Sequence, residues 1–148
     1  MTDAPNILIV EARYYEDIAD ELAGGAEAAL TEAGATFERV AVPGALEIPG
    51  AIALAVRGGH GAHASYDGYV ALGCVIRGET SHYDVVAGES ARGLMTLTLE
   101  GVPLGNGILT VENRDQAMAR AARDGKNKGA DAVEACLRLV EMKRTFGA

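Results

Sequence analysis

Four short apolar runs, each leading into a helix-period pattern, limit this chain more than any other feature. The runs fall at 6–10, 36–42, 69–76 and 104–111. The first, Asn6-Ile7-Leu8-Ile9-Val10, is continuous and rich in β-branched residues, as expected of a strand buried on both faces. A helical pattern follows it, with Ile18, Leu22, Ala26, Ala29 and Leu30 on one stripe, stopping near Gly34. The second run is broken by Pro43-Gly44, and a helix continues through 51–56 with Pro49 suited to its first turn. The third run opens a helix from about 81 to 100, with Ala87, Ala91, Leu94 and Thr98 on its inner face. The fourth is glycine-rich, as where something approaches closely. Glu112-Asn113 then opens a helix through about 123, residues 125–129 interrupt it, and a last helix runs from 130 to about 145 with Val133, Leu137, Val140 and Met142. The order β-α-β-α-β-α-β-α-α predicts an α/β fold: a four-stranded parallel sheet, right-handed crossovers and helices on both faces.

The 148 residues form one domain, 1–148, with no repeat, linker or low-complexity tract. No apolar run is long enough to cross a membrane, and Met1-Thr2-Asp3-Ala4-Pro5 has neither a basic region nor a cleavage pattern. Cys74 and Cys136 are isolated in apolar stretches and read as buried, reduced residues, which fits a cytoplasmic protein. The net charge of −8 argues against nucleic acid and anionic membrane as partners. Of 13 basic residues, eight follow Asn113, so an anionic ligand must look to the C-terminal third for most of its cations. His60 and His63 are the only pair resembling metal ligands, and their place before the third strand reads as a surface loop.

In a sheet of this kind ligands bind beyond the carboxyl ends of the strands. Four loops meet there, at 11–15, 43–48, 77–82 and 112–113. Tyr14 or Tyr15 offers a stacking face, Gly44 allows close backbone approach, and Glu47 supplies a carboxylate. The stretch Gly73-Cys74-Val75-Ile76-Arg77-Gly78-Glu79-Thr80-Ser81-His82-Tyr83-Asp84 passes abruptly from apolar strand to polar turn. Its hydroxyls and helix-start N–H groups suit an anion, and His82 is of the type that exchanges protons near neutrality. Ser81-x-x-Asp84 also fits a capping box, with Ser81 starting the helix. Arg77 has no assigned ligand and reads as holding the turn or a subunit contact. A receiver domain's aspartate is missing at 75–77, and so are the phosphate loop of a flavodoxin and the glycine fingerprint of a dinucleotide fold after the first strand. No Ser or Cys sits on a nucleophile elbow.

Four ordered motifs carry a resemblance. Val42-Pro43-Gly44-Ala45-Leu46-Glu47-Ile48-Pro49, the 73–83 stretch, Gly107-Ile108-Leu109-Thr110-Val111-Glu112-Asn113 and Asn127-Lys128-Gly129 together resemble the lumazine synthase family over about 6–148. The resemblance implies a flavodoxin-like three-layer sandwich. It implies a transferase of riboflavin biosynthesis that condenses 5-amino-6-(D-ribitylamino)uracil with 3,4-dihydroxy-2-butanone 4-phosphate, giving 6,7-dimethyl-8-ribityllumazine, without metal or organic cofactor. It further implies a pentamer, or a multiple of pentamers, with sites shared between subunits, and association with riboflavin synthase. Within that resemblance Tyr14 corresponds to the ring-stacking aromatic and Ala45, Leu46 and Glu47 to the ribityl- and ring-contacting loop. Cys74, Val75 and Ile76 correspond to a backbone edge that reads the uracil. Glu79 and Thr80 correspond to the phosphate loop with Arg120 as its cation, His82 to the proton-transfer residue, and Lys128 to a basic position near the site. Leu46 stands where Phe is frequent, and Asn106, another ligand-contacting position, stands where relatives carry an apolar or aromatic residue. On this scheme Tyr14 comes from the neighbour of the subunit that supplies the 73–84 stretch. Arg120 and His82 are placed together, apart from part of the ring-binding loop. A non-catalytic flavin- or lumazine-binding paralogue is the alternative, and a structural shell a third reading.

Overall fold

The computed structural model describes residues 4–58 and 65–148; His60 and His63, and the first three residues, lie outside them. Four parallel strands, β1 (Asn6–Ala12), β2 (Thr36–Val42), β3 (Gly68–Ile76) and β4 (Leu104–Val111), form one sheet in the order β2-β1-β3-β4. The helices are α1 (Glu16–Glu32), α2 (Ile48–Gly58), α3 (His82–Leu99), α4 (Arg114–Ala121) and α5 (Lys128–Phe146). A single 3₁₀ turn, Ala45–Glu47, precedes α2.

Alternation along each strand divides the core in two. Ile7, Ile9, Val70, Leu72, Leu109 and Val111 face one side, where they bury α1, α4 and α5. Leu8, Val10, Tyr69, Ala71, Val75 and Leu104 face the other and pack on α2 and α3. This is the expected three-layer, flavodoxin-like sandwich. Among the described residues no helix is long and apolar enough to cross a membrane.

Helix α3 starts where the sequence reading places it, directly after Ser81, but not by the expected side-chain cap. Ser81 precedes α3, but its side chain makes no capping bond, contrary to the capping-box expectation. Its backbone is already near-helical (φ −74°, ψ 1°), and the first bonds run from the Asp84 and Val85 N–H groups to the Ser81 carbonyl. The Thr80 hydroxyl instead accepts the His82 N–H at 3.3 Å. The inner face of α3 is Val86, Ser90, Leu94 and Leu97. The expected stripe was rotated by one residue, because Ala91 is exposed and Ser90 is buried. Ser90 tolerates burial by donating its hydroxyl to the Ala87 carbonyl at 3.2 Å. At α4 the Asn113 side chain does cap, accepting the Gln116 N–H at 2.8 Å, and Gln116 Oε1 accepts the Glu112 N–H.

The sheet order places the topological switch between β1 and β3, whose crossovers leave in opposite directions. The β1–β3 ladder ends at Glu11 opposite Leu72, while the β3–β4 ladder continues to Ile76 opposite Val111. Residues 73–76 are thus paired on one side only, and the β1 side of that strip is open.

Candidate functional site

The open strip forms the back of a cleft of about 440 Å³. The β1–α1 loop supplies Tyr14 and Tyr15, the 3₁₀ turn supplies Ala45, Leu46 and Glu47, β3 supplies Cys74, Val75 and Ile76, and the following turn and α3 supply Thr80, His82 and Tyr83. Most of the expected ligand-contacting residues therefore meet in one chain.

Tyr14 is 77% exposed, with its ring edge-on to Tyr15 at a centroid distance of 4.9 Å. Tyr15 is the better packed of the two, against the core on one side and beneath the Arg114 guanidinium at 5.6 Å on the other. Arg114 also bonds Asp17 at 2.6 Å, and this hydrogen bond holds the Asp17 carboxyl below its usual range. Tyr14 thus presents a free aromatic face on a supported base. Gly44 is extended before the 3₁₀ turn, and a Cβ there would lie 3.2 Å from Glu47 Oε1. Ala45 is buried beneath the turn and Leu46 is exposed above it.

Burial pushes the Cys74 thiol up to about 11 and that of Cys136 up to about 12. Neither is a thiolate near neutrality, so Cys74 brings backbone and volume to the cleft, not a nucleophile. Cys74 is also only half-buried, where the sequence reading had it buried.

Arg77 holds the turn. Its Nε lies 2.9 Å from Glu112 Oε2, an Nη reaches Asp84 at 3.5 Å, and the guanidinium covers the Tyr83 ring at 4.2 Å. Glu112 is engaged in this brace, so the fourth loop, expected to join the site, frames it instead. Glu79 is exposed in the same turn and lies outside the cleft lining.

Arg120, Lys128 and Asn106 lie elsewhere, in a second recess of about 330 Å³ between β4 and α5. Arg120 donates to the Gln116 carbonyl at 3.0 Å and Lys128 pairs with Asp131 at 3.2 Å. Asn106 Oδ1 accepts the Ile108 N–H at 2.9 Å and so occupies the outer edge of the sheet. Two expectations are corrected here. Tyr14 and His82 share one chain's cleft, and Arg120 does not accompany His82. The physical reason is connectivity: the β1 and β3 loops flank the switch point, whereas Arg120 and Lys128 are carried by the helices after β4. Among the described residues no group of three His, Cys, Asp or Glu side chains is placed to hold a metal.

Glu11, read from the sequence only as the start of the 11–15 loop, is instead part of β1. It is 3% exposed at the end of β1, with Arg13 Nη1 and Arg39 Nε each 2.7 Å from a carboxylate oxygen. A lone glutamate at a strand end gives no sequence signal that a partner 28 residues away will bury it.

Fold and cleft together define a flavodoxin-like α/β protein with an open cleft at its switch point. The profile of the family described as 6,7-dimethyl-8-ribityllumazine synthase matches residues 4–144, and the chain belongs to that family. It is 56% identical to the 6,7-dimethyl-8-ribityllumazine synthase of Agrobacterium fabrum over 144 residues, covering 97% of each chain. It is 58% identical to 6,7-dimethyl-8-ribityllumazine synthase 1 of Rhizobium meliloti, over 97% of this chain and 94% of that one. The enzyme of that name from Novosphingobium aromaticivorans is 58% identical over 94% of this chain and 96% of its own.

Proposed function

We propose that this chain condenses 5-amino-6-(D-ribitylamino)uracil with 3,4-dihydroxy-2-butanone 4-phosphate to 6,7-dimethyl-8-ribityllumazine in the cytoplasm. The observation that carries the reading is the one-sided pairing of β3 at 73–76, which leaves a strip of backbone unpaired in the cleft that Tyr14 also lines. A pyrimidinedione presents donors and acceptors along its edge and a flat face above it. A strand edge matches the first and a tyrosine the second. The 3₁₀ turn with Ala45, Leu46 and Glu47 takes the polyol arm.

The amine of the first substrate attacks the ketone of the second, and loss of water gives an imine. Phosphate is then eliminated, the enol left behind tautomerises to a ketone, and attack of the second amine on that carbonyl with loss of a second water closes the ring. Each step moves protons between nitrogen, carbon and oxygen. His82, on the wall of the cleft at the first position of α3, carries them. Thr80 and Glu79 belong to the phosphate end, and alignment of two reactive substrates supplies much of the rate.

A departing phosphate needs fixed cations, and among the described residues no Lys or Arg lines the cleft. Arg120 and Lys128 line the separate recess with Asn106. The two surfaces are complementary halves, and a neighbouring subunit brings its recess to this cleft. The assembly is a homo-oligomer, pentameric as the resemblance implies. Exposed apolar side chains support this, including Leu54 at 70%, Met95 at 56% and Leu99 at 81%. No observation favours the non-catalytic paralogue.

Purified protein mixed with both substrates is expected to give the fluorescence and mass of the ribityllumazine with release of inorganic phosphate. No product above the uncatalysed background would overturn the reading.

A further inference from the structure

The buried carboxylate of Glu11 lies next to the cleft but outside its lining. Burying a charge is costly unless it is paired and hydrogen-bonded, and here two guanidinium groups share it. Arg39 ties it to β2. Arg13 has a different reach: one nitrogen binds Glu11, and the other meets Glu16 at 3.2 Å and also Asp20, both on α1. Only residues 13–15 connect β1 to α1, so Arg13 closes that loop from within. Tyr14 is the middle residue of the loop. Being 77% exposed, its ring has little packing of its own beyond the edge of Tyr15, so the loop backbone must set its direction. Charge-assisted hydrogen bonds from a planar guanidinium fix orientation as well as distance.

We propose that Glu11 and Arg13 are positioning residues for ring binding: their staple holds the β1–α1 loop so that Tyr14 stands over the open strip of β3. The proposal rests on reading this cleft as the heterocycle site. A charged staple does what apolar packing would not in so short a loop, since it sets the turn without filling the space the ring requires.

The test is steady-state kinetics with each substrate varied in turn. Glu11→Gln keeps the shape, removes the charge and frees Arg13 to turn toward α1. It is expected to raise KM for the ribitylaminouracil about tenfold, with kcat and the KM for the butanone phosphate within about twofold. Arg13→Lys, a milder change, is expected to shift the same KM by a smaller factor and carries the test if Glu11→Gln fails to fold. In a Tyr14→Ala background Glu11→Gln is expected to add less than about twofold, because its effect passes through that ring. Full additivity with Tyr14→Ala would overturn the proposal. So would a lowered Tm with both KM values retained, or an equal KM shift in Leu97→Ala, which weakens the core on the α3 face. If the wild-type protein made no product, the reading of the cleft would fall and the staple's role with it. Wild-type activity with an unaltered Glu11→Gln would remove the staple alone.

Discussion

On the proposed function, His82, on the wall of the cleft, is the proton carrier. Its own N–H is held by the Thr80 hydroxyl, which fixes where the helix begins and hence where the imidazole projects. Removing the imidazole leaves the stacking face, the strand edge and the polyol turn in place. His82→Ala is therefore expected to lower kcat by roughly ten- to a thousand-fold, the usual range for a general acid–base group, with the KM for the ribitylaminouracil little changed. A parallel rise in KM with kcat retained would assign His82 to binding. His82 was legible in the sequence as an unusual residue just past an apolar strand, and the resemblance chose Tyr14 over Tyr15, though both line the cleft. Glu11 was not legible, because its meaning lies in Arg39, a residue of another strand. Ser81 was misread for the opposite reason: a local pattern matched a cap that the backbone geometry did not need.

The strands were legible as elements because apolar runs bounded by Gly, Pro and polar turns leave little choice of structure. The helices were legible in place but less so in rotation. On α3 the small Ala87 and Ala91 drew the expected inner stripe one residue from where Val86 and Ser90 put it. The 3₁₀ turn left no periodic signal, since three residues show no period. The glycine-rich fourth strand did signal a close approach, and α5 is the element that makes it. A Cβ built on Gly105 would lie 1.8 Å from the Ala132 carbonyl oxygen, which is backbone and cannot move aside. Gly105→Ala is expected to cost more than about 3 kcal/mol, at the severe end of overpacking, or to prevent folding. On α2 an added Cβ at Gly50 meets nothing within 4 Å. Gly50→Ala is expected to be neutral or to stabilise by about 0.5–1 kcal/mol through helix propensity. Urea unfolding of the two variants checks both signs. Equal effects would mean that β4 and α5 are not packed as closely as described.

At the scale of the whole molecule, one chain holds two incomplete surfaces. The cleft has Tyr14, the open edge of β3 and His82, but among the described residues no Lys or Arg on its wall. The recess between β4 and α5 has Arg120, Lys128 and Asn106, but among the described residues no aromatic ring and no histidine. The chain carries a net charge of −8, so a phosphate ester must be drawn to a local cluster of cations and not to the protein at large. If a site forms where one subunit's cleft meets another's recess, defects on the two sides should complement each other. His82→Ala alone and Arg120→Ala alone each leave every interface of a uniform oligomer with one defective side. When the two chains are co-expressed with different tags and purified through both, random mixing pairs an intact cleft with an intact recess at about a quarter of the interfaces. Activity is therefore expected to recover to roughly a quarter of wild type per interface, well above either uniform variant. If instead each chain completed its own site, every site in the mixture would carry a defect. Activity would then stay at the mean of the two variants, and the shared-site arrangement would be excluded.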